Sequence, residues 1–310
     1  MAEYRTSGET MGPIMLRSSL HETIWGGRHL ATQAGKQLPD GKLIGESWET
    51  ALDSIARNAP YAGQALGDLT SQFGEELIGW RAVQVFGKRF PLLTKFLDAQ
   101  QPLSVQVHPN DEYAAKHEGG KLGKTEVWYI LHAAPGAQLV YGLRRETTRE
   151  EVRTAIEETR LEDLLNTFEA HEGDVILVPA GTVHAICDGI VLYELQEYSD
   201  VTYRLYDYGR LQSNGKPREL HVERGLDVMR YSPPPVERVQ PVMLSVEHID
   251  GTCTALAACR YFVEEEWRFN GDVPGSTHSS SCQIITLLSD TCTLRTPHTE
   301  VQLALGDTVV

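Results

Sequence analysis

Apolar and polar residues alternate with a period of two along several short stretches of this chain. That is the spacing of strands that bury one face. Val175-Ile176-Leu177-Val178 is wholly apolar, follows the turn pair Gly173-Asp174, and is stopped by Pro179, which cannot donate to a sheet ladder. Gly181 can take a positive φ, and a second strand opens at His184 with Ala185-Ile186. Phe90 to Ala99 is another apolar run. From Leu103 to His108 the alternation is strict, with Ser104, Gln106 and His108 on one face and Leu103, Val105 and Val107 on the other. Pro109-Asn110-Asp111 then breaks the strand. Gly123 to Leu131 is rich in strand formers and places Lys124, Glu126 and Trp128 on one face; Glu194 and Gln196 share a face further on. Helical spacing is confined to two places. One is Leu66 to Val85, with Asp68 and Thr70 as candidate caps. The other opens with the capping box Thr148-x2-Glu151 and runs through Val152 and Ile156 into a turn at Leu161 to Phe168. The pattern predicts a mainly β protein with helical segments near 66–86 and 148–168.

The polar faces of these strands carry the chemistry. Residues two apart on a strand project together, so Gln106 and His108 lie side by side with Ser104 next in the row. A histidine held at 184 by a rigid Pro-x-Gly turn can serve as a fixed metal ligand. Gln106, His108, Glu126 and His184 together make a plausible shell of two nitrogens and two oxygens, suited to Zn, Fe, Mn or Ni. Gly123-Lys124-Thr125 is not a phosphate loop: that motif needs glycine where Glu118 stands, and it opens a helix rather than a strand. The five cysteines contain no Cys-x2-Cys pair. Their odd number excludes a complete disulfide framework within the chain, so they read as free thiols of a reducing cytosol.

Composition changes the picture only at its edges. With 310 residues and 41% hydrophobic content, the chain has room for one large or two smaller domains and enough apolar side chains for a core. It has neither an apolar run long enough to span a membrane nor a basic-then-apolar leader. A net charge of −15 argues against nucleic acid and anionic membranes as partners. Tyr231-Ser232-Pro233-Pro234-Pro235 reads as a stiff linker. Beyond it come strand-like runs at Cys259 to Trp267, Ser281 to Leu288 and Val301 to Leu305. The closing Gly306-Asp307-Thr308-Val309-Val310 repeats the Gly-Asp opening of Gly173 to Val178. His278 and His298 lack any Gln or Glu partner pattern and are read as surface residues.

Gly173-x5-Pro179-x-Gly181-x2-His184 resembles the second motif of the cupin β-barrels. Ile24 to Gly27, Ile44 to Glu49, Phe90 to Ala99, Leu103 to Asp111, Gly123 to Glu126, Val178 to His184 and Ser199 to Arg210 together resemble the type I phosphomannose isomerases, in their short bacterial form. The resemblance implies two cupin-like (jelly-roll) β-barrels with a small helical insert. It divides the chain into a flexible tail 1–14, a catalytic domain 15–232 and a degenerate C-terminal cupin-like domain 236–310 without a metal site. It implies one Zn2+ per chain, with other divalent metals open, held by Gln106, His108, Glu126 and His184. The substrate class is a sugar phosphate, and the reaction interconverts mannose 6-phosphate and fructose 6-phosphate. Arg204, Lys124, Glu194 and Asp200 become the catalytic candidates; Ser104, Lys124 and Arg204 become the substrate contacts. In so acidic a chain, phosphate capture must be local, from Lys124 and Arg204 with Arg144, Arg145 and Arg210 as further cations. The resemblance also implies a cytoplasmic monomer or weak homodimer. Two departures stand out: Gly123 replaces a histidine of longer members, and Asp188 replaces the asparagine that often follows the second cupin motif. Two other classes remain open, another metal-cupin enzyme and a non-catalytic sugar-phosphate-binding protein. A dioxygenase would show a tighter His-x-His first motif than Gln106-x-His108.

Overall fold

The computed structural model describes residues 11–212, 215–247, 249–276 and 279–310. Two antiparallel sheets face each other. One has six strands in the spatial order Val175–Val178, Glu126–Ala133, Ile190–Glu197, Leu92–Ala99, Ile44–Trp48 and Ser19–Gly27. The other has five, in the order Tyr203–Tyr206, Val105–Val107, His184–Ile186, Gln138–Leu143 and Leu165–Glu169. Between them Leu97, Trp128, Ile130, Leu139, Tyr141, Ile176, Ile186 and Leu192 form a common core. Each such buried aliphatic or aromatic side chain contributes roughly 1.5–3 kcal/mol of transfer free energy.

The strand Ile190–Glu197 is buried at every position, and alternation explains why. Val191, Tyr193 and Leu195 point outward against Leu256, Ala257 and Phe262 of the C-terminal region. Leu192 points inward into the shared core. Glu194 and Gln196 follow it on the same face, so the inside of the sandwich turns from apolar to polar along this strand. On the far side, Val105, Val107, Val140 and Ala185 pack under Val152 and Ala155 of the helix Arg149–Glu157 and Leu226 of the helix Val222–Val228.

The helical stretch near 66–86 is three short helices, Leu66–Phe73, Glu75–Ile78 and Trp80–Phe86, interrupted at Gly74 (φ 51°) and Gly79 (φ 84°). Neither expected cap is used. Ala65 occupies the cap position, Asp68 sits in the first turn, and Thr70 Oγ1 donates back to Leu66 O. Thr148 does cap its helix, accepting from Glu151 N at 3.2 Å. Helical structure there ends at Leu164, and Leu165–Glu169 is a strand paired with Gln138–Leu143.

The expected tail 1–14 needs correction at its end. Residues 1–10 lie outside those described, but Ile14 is fully buried and its N–H donates to Val310 O at 2.9 Å. It packs with Leu66, Leu69, Ile78 and Phe90, beside Cys282, Ile284 and Val310. Beyond the linker the strands form small separate sheets: Val242–Leu244 with Gly251–Ala258 and Val263–Phe269, Ile285–Thr286 with Thr308–Val309, and Thr291–Arg295 with Glu300–Ala304. The repeated Gly-Asp turns have the same geometry. Gly173 and Gly306 both take positive φ, 85° and 81°. Asp174 accepts from His171 N and Asp307 from Ala304 N, each three residues back and each at 2.9 Å. His298 is exposed, and His278 lies outside the described residues.

Candidate metal centre and active site

The loop between Val178 and His184 is pinned from three sides. Gly181, at φ 86°, donates to His108 O at 2.9 Å and accepts from Arg230 N at 2.7 Å. A Cβ there would also meet Val228 O at 2.9 Å, so glycine is required. This delivers His184 to the start of its strand, directly opposite Gln106. His184 Nδ1 lies 2.8 Å from Thr182 O, and His108 Nδ1 lies 2.9 Å from Val201 O. A carbonyl can only accept, so each Nδ1 carries the proton and each Nε2 presents a bare lone pair.

Those lone pairs converge on Glu126. His184 Nε2 is 3.3 Å from Glu126 Oε1 and His108 Nε2 is 3.7 Å from Oε2. One ligand atom from each of the three residues falls within 4.8 Å of the others, and all three side chains are buried. His108 Nε2, His184 Nε2 and Glu126 Oε1 are buried without a hydrogen-bond partner, while Glu126 Oε2 is held by Lys124. Native proteins rarely leave such atoms bare. Three unpaired acceptors facing one point suit a metal cation, and two imidazoles with a carboxylate are a donor set for borderline divalent ions. Burial holds both histidines neutral, His108 well below its ordinary range and His184 at about 4, with the nearby Lys124 adding to the effect. Burial also pushes the Glu126 carboxyl up to about 7, although Lys124 opposes it.

Around the centre runs a buried chain of alternating charge. Lys124 Nζ is 2.7 Å from Glu126 Oε2 and 3.7 Å from Glu194 Oε1. Glu194 Oε1 is 3.4 Å from Lys95 Nζ, which is 3.5 Å from Glu46 Oε2. Burial alone would depress the Lys124 ammonium, but Glu126 and Glu194 outweigh it and raise it above its ordinary value. Burial likewise opposes ionisation of Glu194, yet Lys124 and Lys95 bring it down to about 2. Trp128 Nε1 donates to Glu194 Oε2 at 3.1 Å, while its ring meets His184 edge-on at 5.4 Å between centroids.

Gln106 stands between His184 and Arg204 in the sheet register, and all three share one face. Arg204 lies on the strand Tyr203–Tyr206. Its Nε donates to the buried Ser104 at 3.2 Å and its Nη1 to Glu219 O at 3.0 Å. Asp200 is the candidate that the structure does not bring into the site. Its side chain is 64% exposed and pairs with Lys121 at 2.7 Å, because the chain turns outward between Glu197 and Tyr203. Of the further cations, Arg144 donates to Leu165 O and Arg145 pairs with Glu151 near the helix Arg149–Glu157. Two further buried polar residues join the site: Lys95, which the strand pattern does not single out, and Gln196, already placed on the face of Glu194. Lys95 was visible as the lone lysine in the run Leu92 to Ala99. Gln196 stands opposite Glu126 with its Oε1 buried and unpartnered.

The fold and the site define a mainly β protein whose sandwich holds a buried His–Glu–His centre with the properties of a metal site. Comparison with known proteins narrows the class. The family description "Phosphomannose isomerase type I, catalytic domain" matches residues 14–122. The chain is similar to mannose-6-phosphate isomerase ManA of Bacillus subtilis, 43% identical over 266 residues, which cover 84% of this chain and 81% of the relative. It is 38% identical over 265 residues to the mannose-6-phosphate isomerase of Streptococcus mutans, covering 84% and 80%. The crystal structure of the B. subtilis mannose 6-phosphate isomerase superposes with a TM-score of 0.85 at 34% identity, over 96% of this chain and 93% of that one. The chain belongs to the type I phosphomannose isomerase family.

Proposed function

We propose that this protein is a metal-dependent aldose–ketose isomerase that interconverts mannose 6-phosphate and fructose 6-phosphate through an enediol. The observation that carries the proposal is the convergence of three bare, buried acceptors from His108, Glu126 and His184, beside a lysine that pairs with the second Glu126 oxygen. Gln106, in register with His184, supplies the fourth ligand. Zn2+ is the metal of first choice, and other divalent ions fit the same donors. A metal bound there would polarise the sugar carbonyl and stabilise the enediolate.

The remaining work falls to the chain's own side chains. The Lys124 ammonium, fixed 2.7 Å from Glu126, is placed to donate to the oxygen that gains charge. Moving a proton between C1 and C2 falls to the Lys124–Glu194 pair, 3.7 Å apart, with Lys95 holding Glu194 from its other side. Arg204 and Ser104 bind oxyanions at the end of the row that starts at His184. Asp200, on the surface, has no part in this scheme. The repeated Gly-Asp turn supports a second, degenerate cupin-like half in residues 236–310, and five free thiols suit the cytoplasm.

The test is conversion of mannose 6-phosphate to fructose 6-phosphate by purified protein, before and after chelation, with Zn, Mn, Fe or Co added back. Turnover that disappears on chelation and returns with metal is expected. Absence of turnover with every metal would overturn the proposal.

A further inference from the structure

Asp207 follows the strand Tyr203–Tyr206 that carries Arg204. Its carboxylate is buried and shared by two arginines. Arg218 donates from Nε to Oδ2 at 2.7 Å and from Nη2 to Oδ1. Arg210 donates from Nη2 to Oδ1 at 2.5 Å, and is further tied to the carbonyls of Asp207 and Pro102. Arg204 reaches the same stretch of chain: its Nη1 donates at 3.0 Å to the carbonyl of Glu219, the residue after Arg218. Burial lowers the Arg204 guanidinium below the ordinary value, and the charges of Arg218 and Arg210 lower it further while Asp207 opposes them. Two partly buried guanidiniums thus hold one buried carboxylate, with a third, Arg204, anchored next to Arg218 at Glu219. The other nearby carboxylate, Glu219, is 84% exposed and screened by water. Two positive charges are left unmatched at short range, in a chain whose net charge is −15. Like charges held half out of water cost free energy unless an anion joins them.

The free donors have a shape. Arg204 uses Nε and Nη1 on Ser104 and Glu219, and no acceptor is shown for its Nη2 among the described residues. The same holds for Arg218 Nη1. The Ser104 hydroxyl accepts from Arg204 Nε, so its own proton is available. Forked guanidinium donors beside a hydroxyl suit a tetrahedral oxyanion. Arg204 also stands in the row with Gln106 and His184. A sugar phosphate with its carbonyl at the metal centre would extend its phosphate toward this cluster.

We infer that Arg218, fixed by Asp207 beside Arg204, completes the phosphate subsite, with Arg210 bracing Asp207 from the other side. The inference rests on the isomerase reading of the metal centre. Arg218 binds substrate; Asp207 is a positioning residue.

Arg218→Ala in the metal-loaded enzyme is expected to raise KM for mannose 6-phosphate about tenfold or more, with the inhibition constant of inorganic phosphate rising in step. Turnover at saturation should stay within about threefold, because the reacting carbons are remote from the cluster. Metal content should not change. Arg218→Lys keeps the charge but loses the fork, so an intermediate KM is expected. Asp207→Asn removes a negative charge. Charge alone would then tighten phosphate binding, whereas loss of positioning weakens it, and weaker binding is expected. An unchanged KM and phosphate inhibition constant in Arg218→Ala would overturn the subsite, as would tighter phosphate binding in Asp207→Asn. If the wild-type protein shows no turnover, the isomerase reading fails separately. Calorimetric titration of inorganic phosphate into wild type and Arg218→Ala still decides the subsite, and equal affinities would overturn it.

Discussion

At the scale of single residues, the centre works by deprivation. His108 and His184 spend their Nδ1 protons on backbone carbonyls, so each has one lone pair left, and both lone pairs meet Glu126 in a space closed to water. Removing one ligand should therefore remove the metal rather than merely weaken it. His184→Ala is expected to lose bound metal, measured by atomic absorption, together with all measurable turnover. Lys124→Met separates metal from chemistry. It should keep its metal while turnover falls about 10²–10⁴-fold, the range of a lost acid–base group. A Lys124→Met enzyme with normal turnover would remove Lys124 from the mechanism. The three ligands brought together here were legible in the sequence because strand alternation is a local rule, and the turn Pro179-x-Gly181 announces the position of His184. Lys95 was harder to see. It sits inside an apolar run, and only the pairing with Glu194 across the sheet shows that it faces inward. Asp200 misled for the opposite reason: its neighbours Glu194 and Arg204 both reach the site, but the intervening chain leaves the sheet.

At the scale of elements, the sequence pattern placed strands well and helices by neighbourhood only. Gly74 and Gly79 divide the stretch 66–86, and pairing with Gln138–Leu143 draws Leu165–Glu169 out of the helical segment near 148–168. Both outcomes depend on contacts that local periodicity does not carry. The strand Val263–Phe269 shows a further consequence of packing. It is largely exposed, yet Glu264 turns inward toward the large sheet and keeps Oε2 buried and unpartnered. Burial alone raises this carboxyl from 4.5 to about 8. A group whose folded pKa is raised holds its proton in the native state while the unfolded chain releases it. Its contribution is therefore fully present below about pH 4.5 and is lost as pH rises toward 8. Glu264→Gln keeps the shape and cannot ionise. It should stabilise the protein relative to wild type by a margin that grows from pH 5 to pH 8, read from urea melts at both values. A margin independent of pH would show that Glu264 is ionised in the folded state throughout.

At the scale of the whole molecule, the ends of the described chain are bound to the middle. Ile14 exchanges backbone hydrogen bonds with Val310, at 2.9 and 3.1 Å, and its side chain lies in a cluster with Leu66, Leu69, Ile78 and Phe90. Cys282 and Ile284, from beyond the proline linker, pack on the same cluster. The outward face of Ile190–Glu197, whose inward face carries Glu194, is covered by Leu256, Ala257 and Phe262. The linker at 231–235 thus marks a change in composition without separating two independent cores. The consequence is cooperative unfolding. Ile14→Ala deletes fully buried methyl groups and should cost about 2–5 kcal/mol. The loss should appear as one shifted transition, with tryptophan fluorescence and far-UV circular dichroism moving together. The metal-loaded protein should show the same single transition at higher denaturant, since a ligand that binds only the native state stabilises everything that unfolds with its site. Two separated transitions, with only one shifted by Ile14→Ala and only the other by metal, would mean that the C-terminal sheets fold apart from the sheet that carries the metal centre.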